Sequence, residues 1–100
     1  MKKETNTITD SYETSYMIVV GFNLRMDINL TPSEKLLGFE LIALDNLHGS
    51  YLSDDIIAHF TKQPIESIQP KLEHLEQLGY IKVIDVGLDR QIKLTREITG

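Results

Sequence analysis

The sequence predicts one α+β domain built from an N-terminal strand, three helices and a C-terminal β-hairpin. Three observations carry that prediction. Isoleucine and leucine recur at three- and four-residue steps through Ile65, Ile68, Leu72, Leu75 and Leu78, the spacing of a helix with one buried side. Gly79 closes the run, and two β-prone stretches, residues 80–86 and 90–96, then flank Gly87-Leu88-Asp89 as a hairpin would. Upstream, Thr31-Pro32-Ser33-Glu34 and Ser53-Asp54-Asp55 are two further helix starts.

Taken in order, residues 1–15 are polar, rich in Thr and Ser, and offer only Ile8 and Tyr12 for burial. They are expected to form a mobile tail ahead of a domain spanning residues 16–100. Residues 16–22, Tyr-Met-Ile-Val-Val-Gly-Phe, are apolar and β-prone and are expected to join the sheet, with the mixed stretch 23–30 behind them. In the first helix Thr31 caps, Pro32 takes the first helical position and Glu34 completes a capping box. Leu37, Leu41 and Leu44 supply its buried face, Leu36 and Ile42 widen it, and His48-Gly49 close it after about Asn46. Tyr51-Leu52 is a short extended link. Ser53 caps the second helix, residues 54–60, whose Asp54 and Asp55 suit the positive end of the helix dipole. Leu52 and Ile57 have the spacing of a hydrophobic staple.

Composition narrows the function classes. The chain has 100 residues, 41% of them apolar, enough for one core of marginal stability. It has no cysteine, so disulfides, thiolate nucleophiles and thiolate metal sites are excluded. No stretch has the pattern of a signal peptide or the ~20 apolar residues of a membrane span, and a soluble cytoplasmic protein is expected. Ten Lys and Arg against fifteen Asp and Glu give a net charge of −5, the wrong sign for a protein held to nucleic acid by its overall field. The acidic excess lies in residues 16–78, with four basic and nine acidic side chains. Residues 79–100 carry four and three.

Strand, helix, helix, helix, hairpin is the order of a winged helix-turn-helix. Ala58, Lys62 and Ile68 fall where such units have a small residue, a turn residue and a buried branched one, although the turn residue is usually glycine. Leu30-Thr31-Pro32-Ser33-Glu34-Lys35-Leu36-Leu37, the string Leu72, Leu75, Leu78-Gly79-Tyr80-Ile81-Lys82-Val83, and Arg90-Gln91-Ile92-Lys93-Leu94-Thr95 beyond the wing extend the likeness. With them the chain resembles the N-terminal winged-helix domain of replication initiators, and small replication accessory proteins, of Gram-positive plasmids, phages and other mobile elements, over about two thirds of its length. The resemblance implies a third helix in the major groove and a wing along the backbone or minor groove. It implies a non-enzymatic role in DNA replication, with DNA and a larger polymerase, primase or helicase as partners. A duplex-binding dimeric transcriptional regulator and a phage-type inhibitor acting by protein contact are the alternatives.

The candidate nucleic-acid-binding residues are Lys62, Gln69, Lys71 and His74 on the helical side, with Lys82, Arg90, Lys93 and Arg96 on the wing. On the third helix Glu66, Ser67, Gln69, Pro70, Lys71 and His74 are expected to be exposed, a weak reading head with one firm positive charge. Pro70 lacks an amide hydrogen, which makes Ser67 an alternative cap and a shortened helix the expectation. The wing cations can equally guard sheet edges. His48, His59 and His74 lack metal-ligand spacing, so no metal is expected. Ser50, Ser53 and His48 are near one another only in sequence, and no glycine-rich phosphate loop is present, so neither catalysis nor a cofactor is expected. Tyr51 and Tyr80 read as core-edge residues, while Tyr12 and Tyr16 could stack on a base or a partner. Homodimerisation through the N-terminal strand or first helix is a further possibility.

Overall fold

The computed structural model describes residues 21–48, 52–87 and 89–100, and the structural statements below concern these. They form α1 (Phe22–Met26), α2 (Pro32–His48), α3 (Asp54–Thr61), α4 (Ile65–Gln77), β1 (Ile81–Val86), β2 (Asp89–Leu94) and α5 (Arg96–Thr99). The fold is α+β, with five helices and an antiparallel hairpin among the described residues. The three expected helices correspond to α2, α3 and α4. Two short helices, α1 and α5, were not expected.

Local chemistry explains the ends of the long helices. The Thr31 amide donates to Glu34 Oε1 at 2.8 Å while the Glu34 amide donates to Thr31 Oγ1 at 3.1 Å, a complete capping box. Ser53 Oγ accepts from the Ile56 amide at 3.1 Å. At the far end of α4, Gly79 has φ +89. Its amide donates to Glu76 O and that of Tyr80 to Leu75 O, the paired bonds of a Schellman stop. Lys62 ends α3 in the left-handed region at φ 57, a conformation that disfavours any side chain. That is why the equivalent turn residue is so often glycine.

The core lies where α2, α3, α4 and the inner face of the hairpin meet. Leu37, Leu41, Ile57, Ile68, Leu72 and Leu75 are buried there, as are Ile81 and Ile92 from the strands. Leu52 and Ile57 are both fully buried, as a staple requires. Leu52 also exchanges two backbone hydrogen bonds with Ile92, so one extended residue between α2 and α3 covers part of the outer edge of β2. Leu36 departs from expectation, since it is 57% exposed rather than part of the buried face.

Four expectations need correction. Phe22, the last residue of the strand expected over 16–22, instead opens α1, and Leu24 of that helix is fully buried against Gly38, where a Cβ would meet its Cδ2 at 2.5 Å, so packing on α2 overrides the β preference at Phe22. The residues 16–20 of the expected strand, like the tail 1–15, lie outside the described residues. Pro70 neither shortens nor re-caps the third helix, because α4 runs without a break from Ile65 through Pro70 to Gln77. The second strand stops at Leu94. There the Thr95 amide and hydroxyl donate to Tyr80 O and Gly79 O and turn the chain into α5, whose Ile98 is fully buried. Arg96 therefore belongs to α5 and not to the hairpin.

Tyr80 locks α1 in place. Its buried hydroxyl donates to Asp27 Oδ2 at 2.8 Å and to Asn23 O at 3.1 Å. Burial, and then the Asp27 hydrogen bond, push Tyr80 up from 10.0 to about 12. Asp27 is held below its usual value by the Asn29 amide first and by Tyr80 second. A raised phenol contributes stability that is complete below pH 10 and is lost as the pH rises towards 12. Tyr80→Phe should cost about 1 kcal/mol at neutral pH and should flatten this alkaline loss. Urea midpoints measured for both chains at pH 7 and pH 11 check it, and parallel declines in the two would contradict it.

Candidate nucleic-acid interface

The eight candidate residues do not form one surface. Lys82 and Lys93 are direct cross-strand partners on the hairpin. Strand alternation points Ile81, Val83, Ile92 and Leu94 to the core, so the two lysines stand exposed on the outer face beside Ile84 and Gln91. Like charges directly opposite oppose pairing by a few tenths of a kcal/mol, roughly. The pair is uncompensated among the described salt bridges.

Arg90 points the other way. Its Nε lies 3.1 Å from Asp54 Oδ2, with both side chains mostly covered. The angle is poor for a hydrogen bond, and Asp54 Oδ1 and Arg90 Nε and Nη2 have no hydrogen-bond partner. The contact is an ion pair that ties β2 to the first turn of α3, so Arg90 serves the fold before any ligand.

The helical candidates are similarly engaged. His74 Nδ1 is 2.7 Å from Glu34 Oε2, joining α4 to the capping box of α2. Burial pushes the Glu34 carboxyl up, but the Thr31 amide and His74 outweigh it and hold the group below its usual value. Lys71 donates to Gln63 Oε1 at 3.2 Å. Its charge also moderates the rise that burial imposes on Glu40 of α2. Gln69 is half-buried, and Lys62 is exposed at the α3–α4 turn.

What α4 turns outward is Glu66, Ser67, Pro70, Glu73, Glu76 and Gln77. Three carboxylates and no cation occupy the surface that would face a phosphate backbone. Glu76 Oε2 also accepts from the Val83 amide at 2.8 Å, which satisfies one donor on the outer edge of β1. Glu73 and Glu76 are absent from the sequence-based list. A helical projection could have found Glu73, because Ile68, Leu72 and Leu75 place Glu66, Pro70, Glu73 and Gln77 on the opposite side.

Elsewhere, Leu44, Asp55, Ile56, His59 and Phe60 line an apolar groove of about 360 Å³ between α2 and α3. Among the described residues no three His, Cys, Asp or Glu side chains gather to hold a metal ion. No described helix is long and apolar enough to cross a membrane. No protein-family model, curated protein or solved structure matches the chain.

Proposed function

We propose that this chain is a non-enzymatic, cytoplasmic winged helix-turn-helix accessory protein in the DNA replication of a mobile element. It touches the nucleic-acid backbone through its hairpin and relies on a larger replication protein for most of its hold on DNA. The winged-helix assignment is supported by the order α2, α3, α4, hairpin, and by the bridge from Leu52 to Ile92 that adds a third extended position to the sheet. Replication in a mobile element is supported by the sequence resemblance, which is an analogy of fold and motif.

The observation that carries the nucleic-acid contact is the cross-strand pair Lys82 and Lys93 on the exposed face of the hairpin. Two neighbouring ammonium groups with no carboxylate partner among the described residues gain from an anion between them, and a phosphate is such an anion. The carboxylates on the outer face of α4 repel a major groove, which disfavours a solitary operator-reading regulator. They suit a basic surface on a polymerase, primase or helicase instead.

Fluorescence anisotropy with labelled single- and double-stranded DNA at low salt tests the hairpin contact. Wild type is expected to bind with a dissociation constant on the order of tens of micromolar. Lys82→Ala/Lys93→Ala should bind more weakly and reduce the duplex salt slope by about 1.8, since each lost phosphate contact contributes about 0.9. Unchanged affinity and slope in the double variant, or no binding by wild type in this range, would rule the contact out.

A further inference from the structure

We propose that the outer edge of β1, with the acidic rim of α4 beside it, is a docking site for an extended basic segment of a partner protein, which adds to the hairpin as a further strand. The inference rests on the reading of the outer face of α4 as a protein-docking surface, and it specifies what docks there.

The two edges of the hairpin differ. On β2 the outward-facing residue Ile92 exchanges both its backbone hydrogen bonds with Leu52. The cross-strand partner of Ile92 is Val83 of β1, and its amide likewise points away from the hairpin, to Glu76 Oε2. Alternation then turns the amides and carbonyls of Ile81, Val83 and Asp85 to the same outer edge. Among the described residues no strand pairs along it. One carboxylate on the Val83 amide thus takes the place that a neighbouring strand would fill. A strand edge of this kind is a template for strand addition.

Charge selects the occupant. An added strand turns alternate side chains to the two faces of the sheet. On the core-side face they would lie beside α4, where Glu76 reaches the edge and Glu73 stands one turn earlier, both exposed. On the opposite face they would adjoin Lys82 and Ile84, which are exposed as well. The first row calls for lysine or arginine, and the second for apolar or uncharged residues, because a cation there would oppose Lys82. Docking also balances the exchange at Glu76. A partner carbonyl replaces its carboxylate on the Val83 amide, and the released carboxylate pairs with a partner cation. A second copy of this chain is a poor occupant, since two antiparallel β1 strands about a two-fold axis would bring the carboxylates of two α4 helices together.

The probe is a short capped peptide alternating lysine with valine, titrated at low salt into the full-length chain labelled for amide NMR. The amides of Ile81, Val83 and Asp85 are expected to shift together. Two further peptides carry methyl groups on every second backbone nitrogen, in the two possible phases, with the charge unchanged. The phase that blocks the edge facing β1 should bind roughly tenfold more weakly than the other. Glu73→Gln/Glu76→Gln keeps the shape of both side chains and an acceptor for the Val83 amide, and should weaken the parent peptide about threefold. Equal binding by the two methylated peptides, with shifts confined to α4, would overturn strand addition while leaving α4 as a docking surface. No shift at the β1 edge up to millimolar peptide, or unchanged affinity in the double glutamine variant, would also overturn the proposal. None of these results bears on the hairpin contact with DNA, which the Lys82→Ala/Lys93→Ala titration decides separately.

Discussion

Leu72→Ala is expected to lower the thermal midpoint by roughly 10–30 °C. Leu72 is fully buried in the middle of α4, between Ile68 and Leu75, at the junction of helices and hairpin. Truncating such a leucine removes its transfer free energy and leaves a cavity, together about 2–5 kcal/mol. In a domain of this size each kcal/mol moves the midpoint by roughly 4–8 °C, and the total stability is only about 5–15 kcal/mol. Circular dichroism at a helix-sensitive wavelength during heating measures it. Ile28→Ala is the matched comparison, because Ile28 is 94% exposed and its truncation should stay within about 0.5 kcal/mol of wild type. A Leu72→Ala midpoint close to that of Ile28→Ala would mean that α4 is not packed as described.

The second large effect has the opposite sign. Pro70→Ala is expected to stabilise the protein by about 1–3 kcal/mol. Pro70 is the sixth residue of α4, beyond the first turn in which proline is tolerated, so it withholds an amide from the Glu66 carbonyl and crowds it. Interior proline costs about 3 kcal/mol relative to alanine. Part of this is offset because proline also restricts the unfolded chain. Pro70 is exposed, so alanine loses no core packing there. Urea titration of the two chains gives the difference directly. A variant no more stable than wild type would show that α4 already relieves the proline by a local distortion.

The features legible in the sequence are the local ones. Thr31 and Glu34, Ser53 and Ile56, and the Gly79 and Tyr80 amides of the helix stop each lie within a few residues of their partners. The stripe from Ile65 to Leu78 likewise needs only the helical period. At Phe22, the last residue of the strand expected over 16–22, propensity was the only guide, and it yields to packing: Phe22 opens α1, whose Leu24 is buried against Gly38. Arg96 failed because the end of β2 depends on Thr95 reaching back across the stop to Gly79.

The candidate site divides along the same line. Lys82 and Lys93 could be proposed as wing cations from the alternation of a hairpin, and both stand exposed as direct partners. Arg90, His74 and Lys71 were chosen on equal grounds, yet their partners are Asp54, Glu34 and Gln63, distant in sequence or across a turn. The acidic outer face of α4 was present in the helical period but was not drawn from it. The long helices, their caps and stops, and the hairpin follow from the residues alone, because capping, periodicity and turn chemistry act over a few residues. Which cations remain uncommitted, that residues 22–26 form a short helix, and where the second strand ends depend on groups that meet only when the chain closes on its core.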